Sequence, residues 1–269
     1  MSAGGSGAAA EAIPQNNIMA FGVLGGLIGV YGAYFLVGMV GQYMSFIGAL
    51  GAICGMVWGA AAVRRVASYG LGTGVPSIGM LALGMGVIAA TFGLAVGGVA
   101  GPVVALVVAA IIGLMIGVLA NKILKMGIPI MEVSMTEIAT AGTITILGLS
   151  VAMTGTFDFP VVLSQVISTG YIAVIFIAGG LAILHPFNAC LGPDEKQDRT
   201  LMCAVEKGSI AMIVAGIVAT TNPNASGALT ILIGIALWYV AFSGFYDRTK
   251  RDAYDVVGAG MLPSKEELE

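Results

Sequence analysis

Charge is what this sequence has least of. Of its 269 residues 9% are Asp, Glu, Lys or Arg, while 58% are hydrophobic. A soluble domain carries about 25% charged residues, so this chain cannot cover a water-facing surface of ordinary size. Histidine occurs once and cysteine three times, with no Cys-x-x-Cys pair. That speaks against a zinc site, and free thiols in a reducing compartment are the plain reading. The opening "MSAGGSGAAAEAIPQNN" has no Lys or Arg before the first apolar run. It lacks the basic region of a secretory signal peptide and reads as a short, retained tail. A phosphate-cradling Gly-rich loop, a nucleophile elbow, a His-Glu-x-x-His motif and a basic stripe for nucleic acid are all missing. Neither an independent active site nor a nucleic-acid partner is expected. The chain looks like one component of something larger.

What the sequence does have is apolar runs of 18 residues or more, the length that crosses about 30 Å of hydrocarbon. They are solidly apolar rather than alternating, which favours helices over a transmembrane barrel. The 41 glycines agree, because Gly is commoner in membrane helices than in soluble ones. Eight spans are expected, near 18–40, 44–62, 77–97, 102–120, 138–156, 162–184, 203–221 and 226–245. The count falls to seven if the weakest, which Glu206 and Lys207 interrupt at its start, is discounted. The expectation is an all-α polytopic membrane helix bundle over 18–245, between tails at 1–17 and 246–269.

The few charges fix the threading. Connections after the first, third, fifth and seventh spans contain no Lys or Arg. Those after the second, fourth and sixth, with the C-terminal tail, hold all 11. By the positive-inside rule that face is cytoplasmic, with both termini inside the cell membrane. Of the 14 acids only Asp158, in "TGTFDFP", falls outside. The nine prolines are all expected in connections, where a missing N–H does least harm. Odd-numbered spans each follow a proline, in "AIPQNN", "GTGVPSIG", "KMGIPIME" and "CLGPDEKQ", as though four helical hairpins shared one plan. Gly51, Gly55 and Gly59, like Gly93, Gly97 and Gly101, recur every four residues, a spacing that lets helix backbones approach closely.

Three polar groups could carry function. In "MEVSMTEIATAGTIT" (131–145), Glu132, Thr136, Thr140 and Thr143 share a helix face, with Glu137 beside them. Their oxygens suit a hard cation such as Na⁺, and an ionisable group inside a membrane is a functional candidate by default. Equally, acids at a helix start favour the dipole, and threonines satisfy themselves on their own backbone. Glu206 could line a cavity open to the cytoplasm or pair at the interface. The third group is "HPFNACLGPDEKQDRT" (185–200), the longest hydrophilic connection, with His185, Asn188, Asp194, Glu195 and Arg199 as candidates for docking a partner. His185 has no Ser, Cys or metal ligand near it in sequence and reads as a boundary residue rather than a general base. No metal ligand set is expected.

Three stretches, "AEAIPQNNIMAFGVLGGLIGVYGAYFLVG", "GIPIMEVSMTEIATAGT" and "HPFNACLGPDEKQDRTL", resemble the C subunit of the tetrahydromethanopterin S-methyltransferase of methanogenic archaea. The likeness covers essentially the whole chain, and "HPFNACLGPDE" is its most specific part. The resemblance implies a membrane complex that moves a methyl group from methyl-tetrahydromethanopterin to coenzyme M. A cobamide on another subunit relays the methyl, and the reaction drives Na⁺ out of the cell. It implies as partners the other integral membrane subunits, the corrinoid-carrying subunit and lipid, with no cofactor bound by this chain alone. The Na⁺ path is attributed to the membrane subunits together, and the 185–200 connection would then meet a partner or coenzyme M. The rival reading is a stand-alone cation-coupled secondary transporter with Glu132 and Glu137 as its ion site.

Overall fold

The computed structural model describes residues 13–69, 74–189 and 196–257. Among these there are helices and turns and no strand. The helices are α1 (Gln15–Met39), α2 (Phe46–Ala67), α3 (Gly74–Val96), α4 (Gly101–Val118), α5 (Met131–Thr154), a four-residue α6 (Phe159–Val162), α7 (Tyr171–Ala189), α8 (Gln197–Ala219) and α9 (Gly227–Val257). Seven of them are long and apolar enough to cross a membrane. The eighth candidate is a broken pair, Phe159–Ile167 and Tyr171–Phe187, bent by 84°. This bundle matches the expected class.

Packing is inside out relative to a soluble protein. In α4, Ala105, Ala109, Gly113 and Gly117 are buried, while Val103, Val107, Ile111, Met115 and Val118 are exposed. Lipid tails are as apolar as these large side chains, so nothing drives them inward, and close backbone approach does the joining instead. α5 shows the result. It packs against α2, α4, α3, α1, α8 and α7, and 94% of its most apolar stretch is buried, against 17% for α9. Gly48 of α2 and Gly148 of α5 touch directly: a Cβ on Gly148 would come within 2.5 Å of the Gly48 carbonyl oxygen. Gly51 meets Gly29 in the same way. Of the second glycine row, Gly93 packs on Ala105, whereas Gly97, at φ 83°, turns the α3–α4 hairpin.

Hydrogen bonds sort the helix ends into two sets. At one end Gln197 exchanges two bonds with the Ile13 backbone, Asn121 donates to Glu132, and Arg248 donates to Asp198 at 2.9 Å. At the other, the Tyr31 hydroxyl donates to Val99 O, Ser226 N donates to Ser45 Oγ, and Asn222 Nδ2 donates to Met153 O. The chain therefore passes from end to end eight times. Every described charged residue except Asp158 belongs to the first end.

Two expectations need correction. The sixth span is not one straight helix over 162–184. A π-helical turn at Leu163–Ile167 and a left-handed Gly170 (φ 82°) break it, and Thr169 Oγ1 returns to Gln165 O. Glycine takes that backbone conformation at no steric cost. Nor do all prolines avoid helices. Pro186 lies inside α7, where its ring removes the helical donor to the Ala182 carbonyl; the loss is tolerated because only the last turn is affected. Pro76, Pro102 and Pro160 occupy first turns, where a missing N–H costs nothing.

Gly148→Ala is expected to lower the Tm of the purified protein in detergent, because overpacking against backbone costs about 1–3 kcal/mol. Gly38→Ala, with no atom within 4 Å of its Cβ, should leave Tm unchanged or slightly raised. Equal effects would contradict the α2–α5 contact.

Candidate functional site

Three helices meet around one carboxylate. Glu137 of α5 is 4% exposed. Its Oε2 accepts from Gln15 of α1 and from the Trp58 indole of α2 at 2.9 Å. Its Oε1 accepts from Arg65 Nη1 of α2 at 3.2 Å. Helical spacing brings Trp58 and Arg65, two turns apart, to the same side of α2, and α2 and α5 lie close enough for both to reach. A buried carboxylate is tolerable only when paired and hydrogen-bonded, and this one is both.

The same arrangement recurs once. Glu206 of α8, 3% exposed, is held by Lys207 Nζ at 2.7 Å and by the Trp238 indole of α9 at 3.1 Å. The chain has two tryptophans, and each donates to one of these buried glutamates. From Trp238 the rings of Phe242 and Tyr246 stack up α9 at centroid distances of 5.2 and 6.0 Å, and Lys250 lies 4.4 Å above Tyr246. His185, in α7, is near enough to feel the charges of Lys207 and Glu206. Two groups that the sequence separates thus come together at one end of the bundle.

The threonine face of α5 is closed. Thr136 Oγ1 donates to Glu132 O, Thr140 Oγ1 to Thr136 O, and Thr143 Oγ1 to Ala139 O at 2.9 Å and to Gly86 O at 3.0 Å. Glycines of neighbouring helices press on it: a Cβ on Gly117 would sit 2.4 Å from Glu132 Cα, and one on Gly113 would sit 2.7 Å from Thr136 Cα. Glu132 itself is half-buried and accepts from Asn121 Nδ2 at 3.1 and 3.3 Å. Glu137 points to a different set of partners, on α1 and α2. Asn188 is in the last turn of α7, Arg199 is half-buried in the first turn of α8, and Asp194 and Glu195 lie outside the described residues. Among the described residues no three His, Cys, Asp or Glu side chains could hold a metal together.

Sequence reasoning missed both indole–carboxylate bonds, whose partners lie 79 and 32 residues apart. The signal was the coincidence of two tryptophans with two in-span glutamates. It also missed a recess of about 290 Å³ at the other end of the bundle, lined by Met153, Tyr171 and Val218 as well as by Thr154, Gln165 and Asn222. Those residues fall near connections that look minimal in sequence.

Residues 1–266 match the protein family MtrC, described as the C subunit of tetrahydromethanopterin S-methyltransferase. The chain is 64% identical to the C subunit of that enzyme from Methanosarcina barkeri over 271 residues, covering 100% of both. It is 46% identical to the one from Methanothermobacter marburgensis, covering 99% of this chain and 100% of that one. With the one from Methanocaldococcus jannaschii it shares 41% identity at the same coverage.

The ion pair around Glu137 gives a sharp expectation. Arg65→Met leaves a buried carboxylate without its cation, which costs about 3–5 kcal/mol when both partners are fully buried; with Arg65 36% exposed roughly half of that is expected. Adding Glu137→Gln should recover most of the loss in thermal unfolding of the purified protein. Additive losses would mean that the two side chains do not interact.

Proposed function

The chain belongs to the family of tetrahydromethanopterin S-methyltransferase C subunits, and from that membership we propose that it is a membrane-embedded component of such a methyltransferase complex. In this reading the complex transfers a methyl group from methyl-tetrahydromethanopterin to coenzyme M and couples the transfer to Na⁺ extrusion. The corrinoid sits on another subunit, and this chain anchors and braces the assembly in the cell membrane with both termini cytoplasmic.

The observation that carries the reading is the placement of polar substance. Every described charge but Asp158 gathers at one end of the bundle, and a complex whose substrates and methyl carrier are cytoplasmic needs its membrane part to face them with that end. The positive-inside rule assigns the basic end to the same side. Bracing is supported by the buried carboxylates: Glu137 joins α1, α2 and α5, and Glu206 joins α8 and α9. A stand-alone transporter would use Glu132 and Glu137 as a cation site. The engagement of the Glu137 oxygens with Gln15, Trp58 and Arg65, and of Glu132 with Asn121, favours bracing over that use. The stretch 185–200, with His185, Asn188, Asp194, Glu195 and Arg199, serves in our reading as the rim where a partner subunit or coenzyme M docks.

Gentle extraction of a tagged chain from its native membrane tests the assignment. Co-migration with a corrinoid-carrying protein is expected, and a lone homo-oligomer would overturn it. Joint replacement of Asp194, Glu195 and Arg199 with Ala should weaken that association or the coenzyme M-dependent demethylation of the corrinoid. Unaltered assembly and turnover would remove the docking rim from the account.

A further inference from the structure

α4 does not simply stop at the charged end of the bundle. A π-helical turn over Leu119–Ile123 widens its last turn, and Lys125 follows at φ 55°, the one non-glycine residue with positive φ among those described. Asn121 fixes this connection from within. Its Oδ1 accepts from Ile128 N at 3.0 Å, and its Nδ2 donates to both Glu132 oxygens at 3.1 and 3.3 Å. Glycine would hold the left-handed position of Lys125 at no steric cost, as Gly127 does two residues later at φ 68°. A strained lysine where glycine would serve points to its side chain as what the position is for.

Lys122 and Lys125 are both exposed, and between them Ile123 and Leu124 are 67% and 62% exposed. Among the described residues neither ammonium makes an ion pair. The sequence has no Asp or Glu between residues 12 and 131. Glu132, close enough for Lys122 to act on its charge, gives both oxygens to Asn121. Further along α4, Val107, Ile111, Met115 and Val118 form an exposed row one turn apart. The apolar stretch runs over Gly101–Ile123, 23 residues, or about 35 Å at the rise of an α-helix. That exceeds the hydrocarbon thickness of about 30 Å, so the two lysines emerge at the depth of lipid phosphates. We propose that the cytoplasmic end of α4 is a binding site for an anionic phospholipid, its phosphate held by Lys122 and Lys125 and its chains laid along the row from Val107 to Val118. Basic residues at this depth attract anionic headgroups. An acidic soluble protein could meet the lysines, but it would leave Ile123, Leu124 and the row above them uncovered. The inference rests on the threading, and it stands whether or not the chain works in a methyltransferase.

The test is photolabelling of the chain, extracted from its native membrane with whatever accompanies it and placed in phosphatidylcholine vesicles holding a minor share of a diazirine lipid. Peptide mass spectrometry then reads the label on each helix. A phosphatidylglycerol probe should label α4 at least about fivefold more than the same probe built on phosphatidylcholine, the order expected for a basic residue at the membrane surface. On α1, which has no Lys or Arg, the two probes should label the face of Phe21, Leu24 and Ile28 alike. Lys122→Gln and Lys125→Gln should each lower the phosphatidylglycerol label on α4 about fivefold, and Lys125→Arg should keep it. Lys125→Gly separates binding from folding: the label should fall as in Lys125→Gln, while Tm holds or rises because the backbone strain is gone. Inorganic phosphate, at ionic strength matched with chloride, should leave the label in place because it lacks the chains. Equal labelling of α4 by the two probes, label unmoved in both Gln variants, displacement by phosphate, or a lower Tm in Lys125→Gly would overturn the site. So would α4 labelling that appears only once accompanying proteins are stripped away, since a protein would then cover this face.

Discussion

A full charge placed at mid-membrane costs about 3 kcal/mol even by lenient insertion scales. That single cost organises this protein. It confines basic residues to one end of the bundle, leaves Asp158 as the lone described charge at the other, and dictates what must surround any carboxylate that lies deeper. Glu137 and Glu206 are the two that do. Each is paired with a base and given an indole N–H, so neither is a naked charge. Apart from Lys207, which neighbours Glu206 on α8, their partners come from other helices, so satisfying the charge also fixes how those helices stand relative to one another. Arg65 and Lys207 keep part of their side chains outward, in the manner of long basic residues that reach for the interface.

Between the two ends charge has no role and shape takes over. With lipid as greasy as leucine, helices are joined by fit: Gly48 against Gly148, Gly29 against Gly51, and Gly113 and Gly117 against the backbone of α5. Among the candidate membrane spans, the one whose apolar stretch is least apolar, α5, is also the most buried. Its threonines bond to their own carbonyls, which lets hydroxyls lie in a packed interior at little cost. The face of α5 that reads as an ion ladder is in the fold a seam for close packing.

Much of this was legible in the sequence. Apolar run length gave the eight passes, the scatter of Lys and Arg gave the two ends, and the spacing of Glu132, Thr136, Thr140 and Thr143 gave one face of α5. What stayed hidden depended on contacts between distant segments. Trp58 reaches Glu137 only because α2 and α5 are neighbours, a fact that no local pattern carries. The break before α7 hides because "LSQVISTGYIAV" is apolar enough to pass for an uninterrupted span, and a single glycine in it does not stand out in a chain with 41. Pro186 misled in the other direction, since a proline two residues beyond an expected span end reads as a stop, whereas a last turn can absorb it.

The account depends first on which residues share a side of the membrane. Single cysteines placed at Arg64, Lys122, Asp158 or Arg248, in a background with Cys54, Cys190 and Cys203 replaced, can be labelled with an impermeant maleimide in right-side-out and inverted vesicles. Modification of the first, second and fourth only from the cytoplasmic side, and of the third only from the outer side, is the predicted result. Positions 64 and 122 labelled from opposite sides would contradict the threading and every assignment built upon it.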